Sequence, residues 1–159
     1  MDTGTEPRWL TTQEREAWAG LQVMQGVLMG RLNRDLSSTR GLSIQDYGVL
    51  VTVSETADGR LRAFELGRLM GWEKSRLSHH IARMEERGLL RRERCPSDAR
   101  GLFVVLTDEG RGALEEAAPS HLRSVRRWFV DRLTPAQLST LADVAHTVLE
   151  GLAGDCQEP

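Results

Sequence analysis

The run AFELGRLMGWEKSRLSHHIARMEERG, Ala63 to Gly88, narrows the possible folds of this chain more than any other stretch. Leu66, Leu69 and Met70 recur at helical spacing from Ala63 to Met70, and Gly71-Trp72-Glu73 breaks the pattern. A second helix is predicted from near Lys74 to Arg87, with Leu77, Ile81 and Met84 on one side and Gly88 as a left-handed stop. Two short helices joined by a three-residue, glycine-containing turn form a helix-turn-helix arrangement.

The flanking segments give this unit a setting. Thr11-x-x-Glu14 is a capping-box start, and Trp18, Leu21, Met24, Leu28, Leu32 and Leu36 follow at steps of three and four, which predicts a long helix to about Ser38. At ~1.5 Å per residue it reaches ~40 Å, too long for a small domain to cover, so it wants a partner surface. Ser43 caps a second helix to about Thr56, ended by Ala57-Asp58-Gly59, and Arg60-Leu61-Arg62 is short and extended. After Gly88, Leu89–Glu93 and Leu102–Leu106 read as two strands, with Pro96 to Gly101 as the connecting loop. Thr107 starts another long helix, which Pro119 is expected to kink or restart. Thr134-Pro135-Ala136-Gln137 starts the last helix, with Leu138, Leu141, Ala145, Val148 and Leu152 as its apolar side. The ends, residues 1–8 and 154–159, are expected to be disordered.

Charge is sorted along the chain. The net charge of -2 hides a segment from Arg60 to Arg100 with eleven Lys/Arg against six Asp/Glu, so the remainder is acidic. On the helix from Lys74, the side opposite Leu77, Ile81 and Met84 collects Ser75, Arg76, His79, Ala82, Arg83 and Glu86. Its first two turns offer hydroxyl, guanidinium and imidazole groups and no acid after Glu73, whereas Glu85 and Glu86 sit at the far end. Donors ordered in this way suit base edges and phosphates, arginine to guanine being the commonest specific contact. A merely solvated face would show no such order. Lys74, Ser75, Arg76, Ser78, His79 and Arg83 are therefore the candidate major-groove residues, with Arg62 and Arg94 as candidate backbone contacts. A hairpin beside a groove-bound helix can reach the adjacent minor groove, so Arg100 at its tip is the candidate probe there. Asp98 is expected to shape the tip, or else to serve only as a turn former.

From LRAFELGRLMGWEKSRLSHHIARMEERGLLRRE through PSDARGLFVVLTDEGRGAL the chain resembles the MarR family of winged helix-turn-helix transcription regulators. The hairpin carries that family's Asp-x-Arg at Asp98 and Arg100, followed by Leu-Thr-x-x-Gly at Leu106-Thr107 and Gly110. The resemblance implies a mainly α fold with a small β-hairpin wing. Residues 40–106 would form the winged helix-turn-helix domain, and residues 11–39 and 107–153 a helical dimerisation region. It also implies a homodimer on double-stranded DNA with its two recognition helices about one turn, roughly 34 Å, apart. Many such proteins are repressors released by a small aromatic or anionic effector bound between the two parts. The residues do not identify an effector or its pocket.

The first helix lacks the reactive cysteine of peroxide-sensing members. Cys95, beside Arg91, Arg92 and Arg94, is expected to be a solvent-facing bystander, although those arginines could lower its pKa. His79 and His80 are adjacent while His121 and His146 stand apart, so no metal site is expected. Trp18, Trp72 and Trp128 are expected in the core rather than around a ligand. There is no phosphate-binding glycine loop and no nucleophile-base arrangement, which argues against an enzyme and against a cofactor. No run approaches the ~18 apolar residues of a membrane span, and MDTGTEPRWL lacks the basic start and apolar middle of a signal peptide, so a cytoplasmic location is expected. The competing function is a winged-helix protein-interaction module whose basic stretch docks an acidic partner.

Overall fold

A computed structural model describes residues 8–95 and 98–154, with backbone alone at residues 40, 98–100 and 153–154. The expected disordered ends lie almost wholly outside the described residues. Helix α1 spans Thr12–Arg40. Its capping box is formed as the sequence predicts: the Glu14 N–H donates to Thr11 Oγ1 at 3.2 Å and the Thr11 N–H to Glu14 Oε2 at 2.7 Å. Gly41 closes the helix with φ 64°, a conformation that favours glycine. Helix α2, Ile44–Ser54, has a second capping box between Ser43 and Asp46.

Strand β1 (Arg60–Arg62) leads into α3 (Ala63–Met70), and α4 covers Lys74–Glu86. Strands β2 (Leu90–Cys95) and β3 (Asp98–Leu106) complete an antiparallel sheet in the order β1-β3-β2. The sequence places Asp98 to Gly101 in a loop, but here they belong to β3, because the pairing continues until Cys95 meets Asp98 across a register shift. Leu50, Leu66, Met84, Leu90 and Val104 form the centre of the core, where α2, α3 and α4 meet the sheet.

Helix α5 spans Asp108–Trp128 and runs through Pro119, which does not restart it. Ala113 and Ala117 pack into the core before the proline. Beyond it, Ser124 Oγ and Trp128 Nε1 donate to Asp35 Oδ2 of α1 at 2.8 and 2.9 Å, so contacts on both sides hold the helix where one backbone donor is missing. These bonds, first from Trp128 and then from Ser124, also hold the Asp35 carboxyl below its ordinary pKa.

Helix α6, Pro135–Gly154, starts with the expected Thr134–Gln137 exchange. From Ala142 to Leu152 every residue of it is exposed. The apolar stripe of α1 divides in the same way: Leu32 and Leu36 are buried, but Trp18 is 55% exposed and Leu21 and Met24 are uncovered. The expectation of a core position fails for Trp18, because none of the described elements covers it. Trp72 packs on the core as expected, and Trp128 is half-buried over a groove of about 260 Å³ between α1 and the end of α5. Among the described residues no helix is long and apolar enough to cross a membrane.

Candidate nucleic-acid interface

Helix α4 is seated by its apolar side. Leu77, Ile81 and Met84 are buried, so Lys74, Ser75, Arg76, Ser78, His79 and Arg83 are all left exposed. Its first turn contains no acid, and Glu73 at the N-cap makes no side-chain bond to it. The leading N–H groups and the positive end of the helix dipole therefore face outward beside Lys74, Ser75 and Arg76, a setting that favours anions. The Arg76 guanidinium lies over the Trp72 ring, 4.6 Å from its centroid. Arg83 Nη2 lies 3.2 Å from His80 Nδ1.

Beneath this surface is a polar cluster. Asp46 is 5% exposed and His80 8%. Asp46 Oδ1 is 2.9 Å from His80 Nε2, and Oδ2 accepts from Arg87 Nη1 at 2.8 Å and from the Ser43 N–H at 2.9 Å. The His80 contact is bent, since Nε2 has no acceptor in line with its N–H, so Asp46 acts on it chiefly as a close anion. Burial by itself would push the Asp46 carboxyl upward. His80, Ser43 and Arg87 outweigh that and hold it well below the usual carboxylate range. Arg87 Nη2 also donates to the Gly41 carbonyl at 3.1 Å, which ties the end of α4 to the end of α1. Local sequence marks out neither Asp46 nor Arg87, and it offers His80 only as a metal ligand. One signal was available: His80 falls three after Leu77 and four before Met84, on the buried stripe of α4.

The wing is joined to α4 at several points. Glu85 accepts from the Arg92 side chain at 2.8 Å and from its N–H at 3.0 Å, and these bonds keep its carboxyl below the ordinary value. The Thr107 hydroxyl lies 2.6 Å from the Gly88 carbonyl and 2.9 Å from that of Leu89, and its oxygen accepts from the Gly110 N–H at 3.0 Å. A Cβ on Gly110 would overlap the Leu89 carbonyl oxygen. Leu-Thr-x-x-Gly is thus the joint between the return strand, the start of α5 and the end of the helix-turn-helix.

On the sheet, Arg60 and Arg62 stack over Phe103 at 4.1 and 5.5 Å from its centroid. Arg62 is half-buried and donates to Cys95 Sγ at 3.4 Å, which limits its reach toward a phosphate, whereas Arg94 is exposed. Cys95 is 5% exposed, contrary to the solvent-facing position expected of it. The register shift between Arg94 and Cys95 ends simple strand alternation there, and the thiol turns in against Arg62. The side chains of Asp98 and Arg100 lie outside the described residues. Among the described residues no three His, Cys, Asp or Glu gather as metal ligands do. Between the winged part and α5, the Tyr47 and His121 rings meet at a tilt of 45° with centroids 4.4 Å apart. Burial raises the Tyr47 pKa and lowers that of His121.

Residues 40–101 match the MarR family model. Transcriptional regulator HosA of Escherichia coli is 48% identical over 61 residues, which is 38% of this chain and 44% of the relative, so that match spans less than half of HosA. Solved structures extend the likeness. AbsC, a MarR family transcriptional regulator from Streptomyces coelicolor, is 42% identical with a TM-score of 0.87, covering 93% of this chain and 99% of its own. Sco3205, a MarR family transcriptional regulator from the same organism in complex with DNA, is 43% identical with a TM-score of 0.88, covering 94% and 93%. With such identity along nearly the full length of both relatives, and with the helix-turn-helix, sheet and long helices all in place, the chain belongs to the MarR family of transcriptional regulators.

Proposed function

We propose that this regulator is a homodimeric, sequence-specific repressor that binds a pseudo-palindromic operator in double-stranded DNA and is released by a small aromatic or anionic effector. The observation that carries this proposal is the outward side of α4: six exposed donor-bearing residues from Lys74 to Arg83, no acid among them, on a helix whose opposite side is locked into the core. Ser75, Arg76, His79 and Arg83 read bases, the exposed Arg94 meets phosphates with Arg62 in reach only of one that comes close to the sheet, and Arg100 enters the minor groove. Sco3205, similar along nearly its whole length, is known in complex with DNA.

Dimerisation is supported by the apolar residues left uncovered on two long helices, Trp18, Leu21 and Met24 on α1 and Val144, Val148 and Leu152 on α6. A fold that can bury such a stripe gains roughly 25 cal/mol per Å² by doing so. An anionic effector would meet Arg123 and Arg127 in the cleft of about 480 Å³ between α1 and α5, beside Ser120, Ser124 and the Asp35 carboxylate, which Ser124 and Trp128 already occupy.

Fluorescence anisotropy tests the proposal with DNA from just upstream of the gene and an unrelated duplex of equal length. Specific binding should be at least ~10³-fold tighter, with log K falling by about 0.9 per neutralised phosphate per decade of salt. Arg76→Ala should cost ~1–3 kcal/mol on the specific duplex and relax preference at one position. A flat salt response with equal weak binding to both duplexes would point to a protein partner.

A further inference from the structure

The two guanidinium groups proposed to read DNA from α4 are both supported by one buried ring. Arg83 Nη2 is 3.2 Å from His80 Nδ1. A guanidinium has no acceptor, so the contact is a hydrogen bond only if Nδ1 is unprotonated and receives the arginine N–H. The ring proton then sits on Nε2, which faces Asp46 Oδ1 at 2.9 Å. Asp46 is held in turn by the Ser43 N–H and by Arg87, so the imidazole has little freedom to rotate. On the other side, Trp72 meets His80 edge-on with centroids 5.0 Å apart, and the Trp72 face carries Arg76.

We infer that His80 is a positioning residue for base recognition: through its Nδ1 it aims Arg83, and through Trp72 it supports the platform of Arg76, with Asp46 of α2 as the fixed anchor. The inference rests on the proposal that α4 lies in the major groove. A free arginine side chain has many rotamers, and most of that freedom is lost when the fork is fixed on a base. Holding the chain beforehand reduces that loss and sets the angle of approach. The bond to His80 uses one of five donors, so Arg83 keeps enough to bind a guanine edge with two. Burial of His80 is thus tied to the choice of base as well as to packing.

The test uses the full-length protein and the duplex that it selects from a randomised pool. Kd is measured for wild type, His80→Leu, His80→Gln, Arg83→Ala and the double variant His80→Leu/Arg83→Ala. His80→Leu should weaken binding roughly fivefold and flatten preference at the same base position as Arg83→Ala, and in the Arg83→Ala background its loss should be clearly smaller, leaving only the share that passes through Trp72 to Arg76. His80→Gln should recover most of the loss, because its amide can donate toward Asp46 and accept from Arg83. An equal loss from His80→Leu with and without Arg83, or an unchanged base preference, would reduce His80 to a packing residue and overturn the inference. Should His80→Leu not fold, nitrogen NMR of the wild-type imidazole decides the matter. A neutral ring with its proton on Nε2 supports the inference, and a proton on Nδ1 overturns it. If Arg83→Ala leaves affinity and preference unchanged while wild type still selects a duplex, the inference fails at Arg83. If wild type selects no duplex, the proposed function fails with it.

Discussion

Replacing Asp46 with asparagine puts the anchor of the recognition helix to the most direct test. The carboxylate accepts from the Ser43 N–H and from Arg87, and lies against His80 Nε2. An amide offers one oxygen in place of two. Whichever way it turns, its NH2 must face a donor, either His80 on one side or Arg87 and Ser43 on the other. Loss of the capping contact costs about 1 kcal/mol, and a hydrogen bond to a charged group is worth ~1.5–3 kcal/mol. The Arg87 side chain is 40% exposed and can turn to water, so its share belongs at the low end of that range. The sum is about 2–4 kcal/mol at neutral pH, which for a chain of this length lowers Tm by about 5–15 °C.

Urea titrations at fixed protein concentration measure the difference, with an unchanged m-value as the sign that the unfolded state is not involved. Arg87→Ala should cost only about 1 kcal/mol, since Asp46 keeps Ser43 and His80. The folded Asp46 pKa is depressed, so the stabilisation is present above the unfolded value of ~3.9 and is lost as pH falls below it toward the lower folded value. The gap between wild type and Asp46→Asn should therefore be flat from pH 7 to 5 and close only below about pH 4. A cost under ~0.5 kcal/mol would refute the anchoring role, and a gap that closes between pH 7 and 5 would assign the linkage to a histidine.

Gly110→Ala should destabilise by about 3 kcal/mol in the same titration, because the added methyl meets the Leu89 carbonyl, a backbone group held in the joint with Thr107. A cost below ~1 kcal/mol would mean that α5 can shift to accept it. Val148→Asp, on the uncovered side of α6, should convert the proposed dimer to a monomer in sedimentation equilibrium with little change in helical circular dichroism. A dimer of unchanged affinity would place the interface elsewhere.

Features set by neighbours in sequence were legible from it. Thr11, Ser43, Thr107 and Thr134 each announce a helix start because a cap acts over three residues, and each makes its bond in the structure. The turn at Gly71 and the stop at Gly88 were equally clear, since both glycines take the left-handed conformation. The outward side of α4 followed from its apolar side by geometry alone. Contacts across the chain were not legible. Asp46 meets His80 and Arg87 from 34 and 41 residues away, and nothing local separates it from any other capping aspartate. Cys95 turns inward against its local pattern because a register shift interrupts the alternation that strand reasoning depends on. Trp18 reads as a core residue because helical spacing shows which residues share a face, but not whether this chain or a second copy covers that face.

These long-range contacts imply something about motion that neither the spacing nor the exposed face does. Helix α4 is held to α2 through His80 and Arg87, to β2 through Glu85 and Arg92, and to the start of α5 through the carbonyls that flank its end and Thr107. A helix bound on three sides does not loosen independently. Its buried turns, Leu77 to Met84, should exchange amide hydrogens as slowly as Val49 to Val53 of α2, through opening of the whole unit. Protection of α6 beyond Ala142 should instead rise with protein concentration, since none of the described residues of the same chain covers it. Faster exchange in α4 than in α2 would show that the three joints do not act together. If they do, an effector of the proposed kind gains nothing by acting on the seat of α4; in the proposed dimer it would have to change the distance between the two recognition helices through α1, α5 and α6.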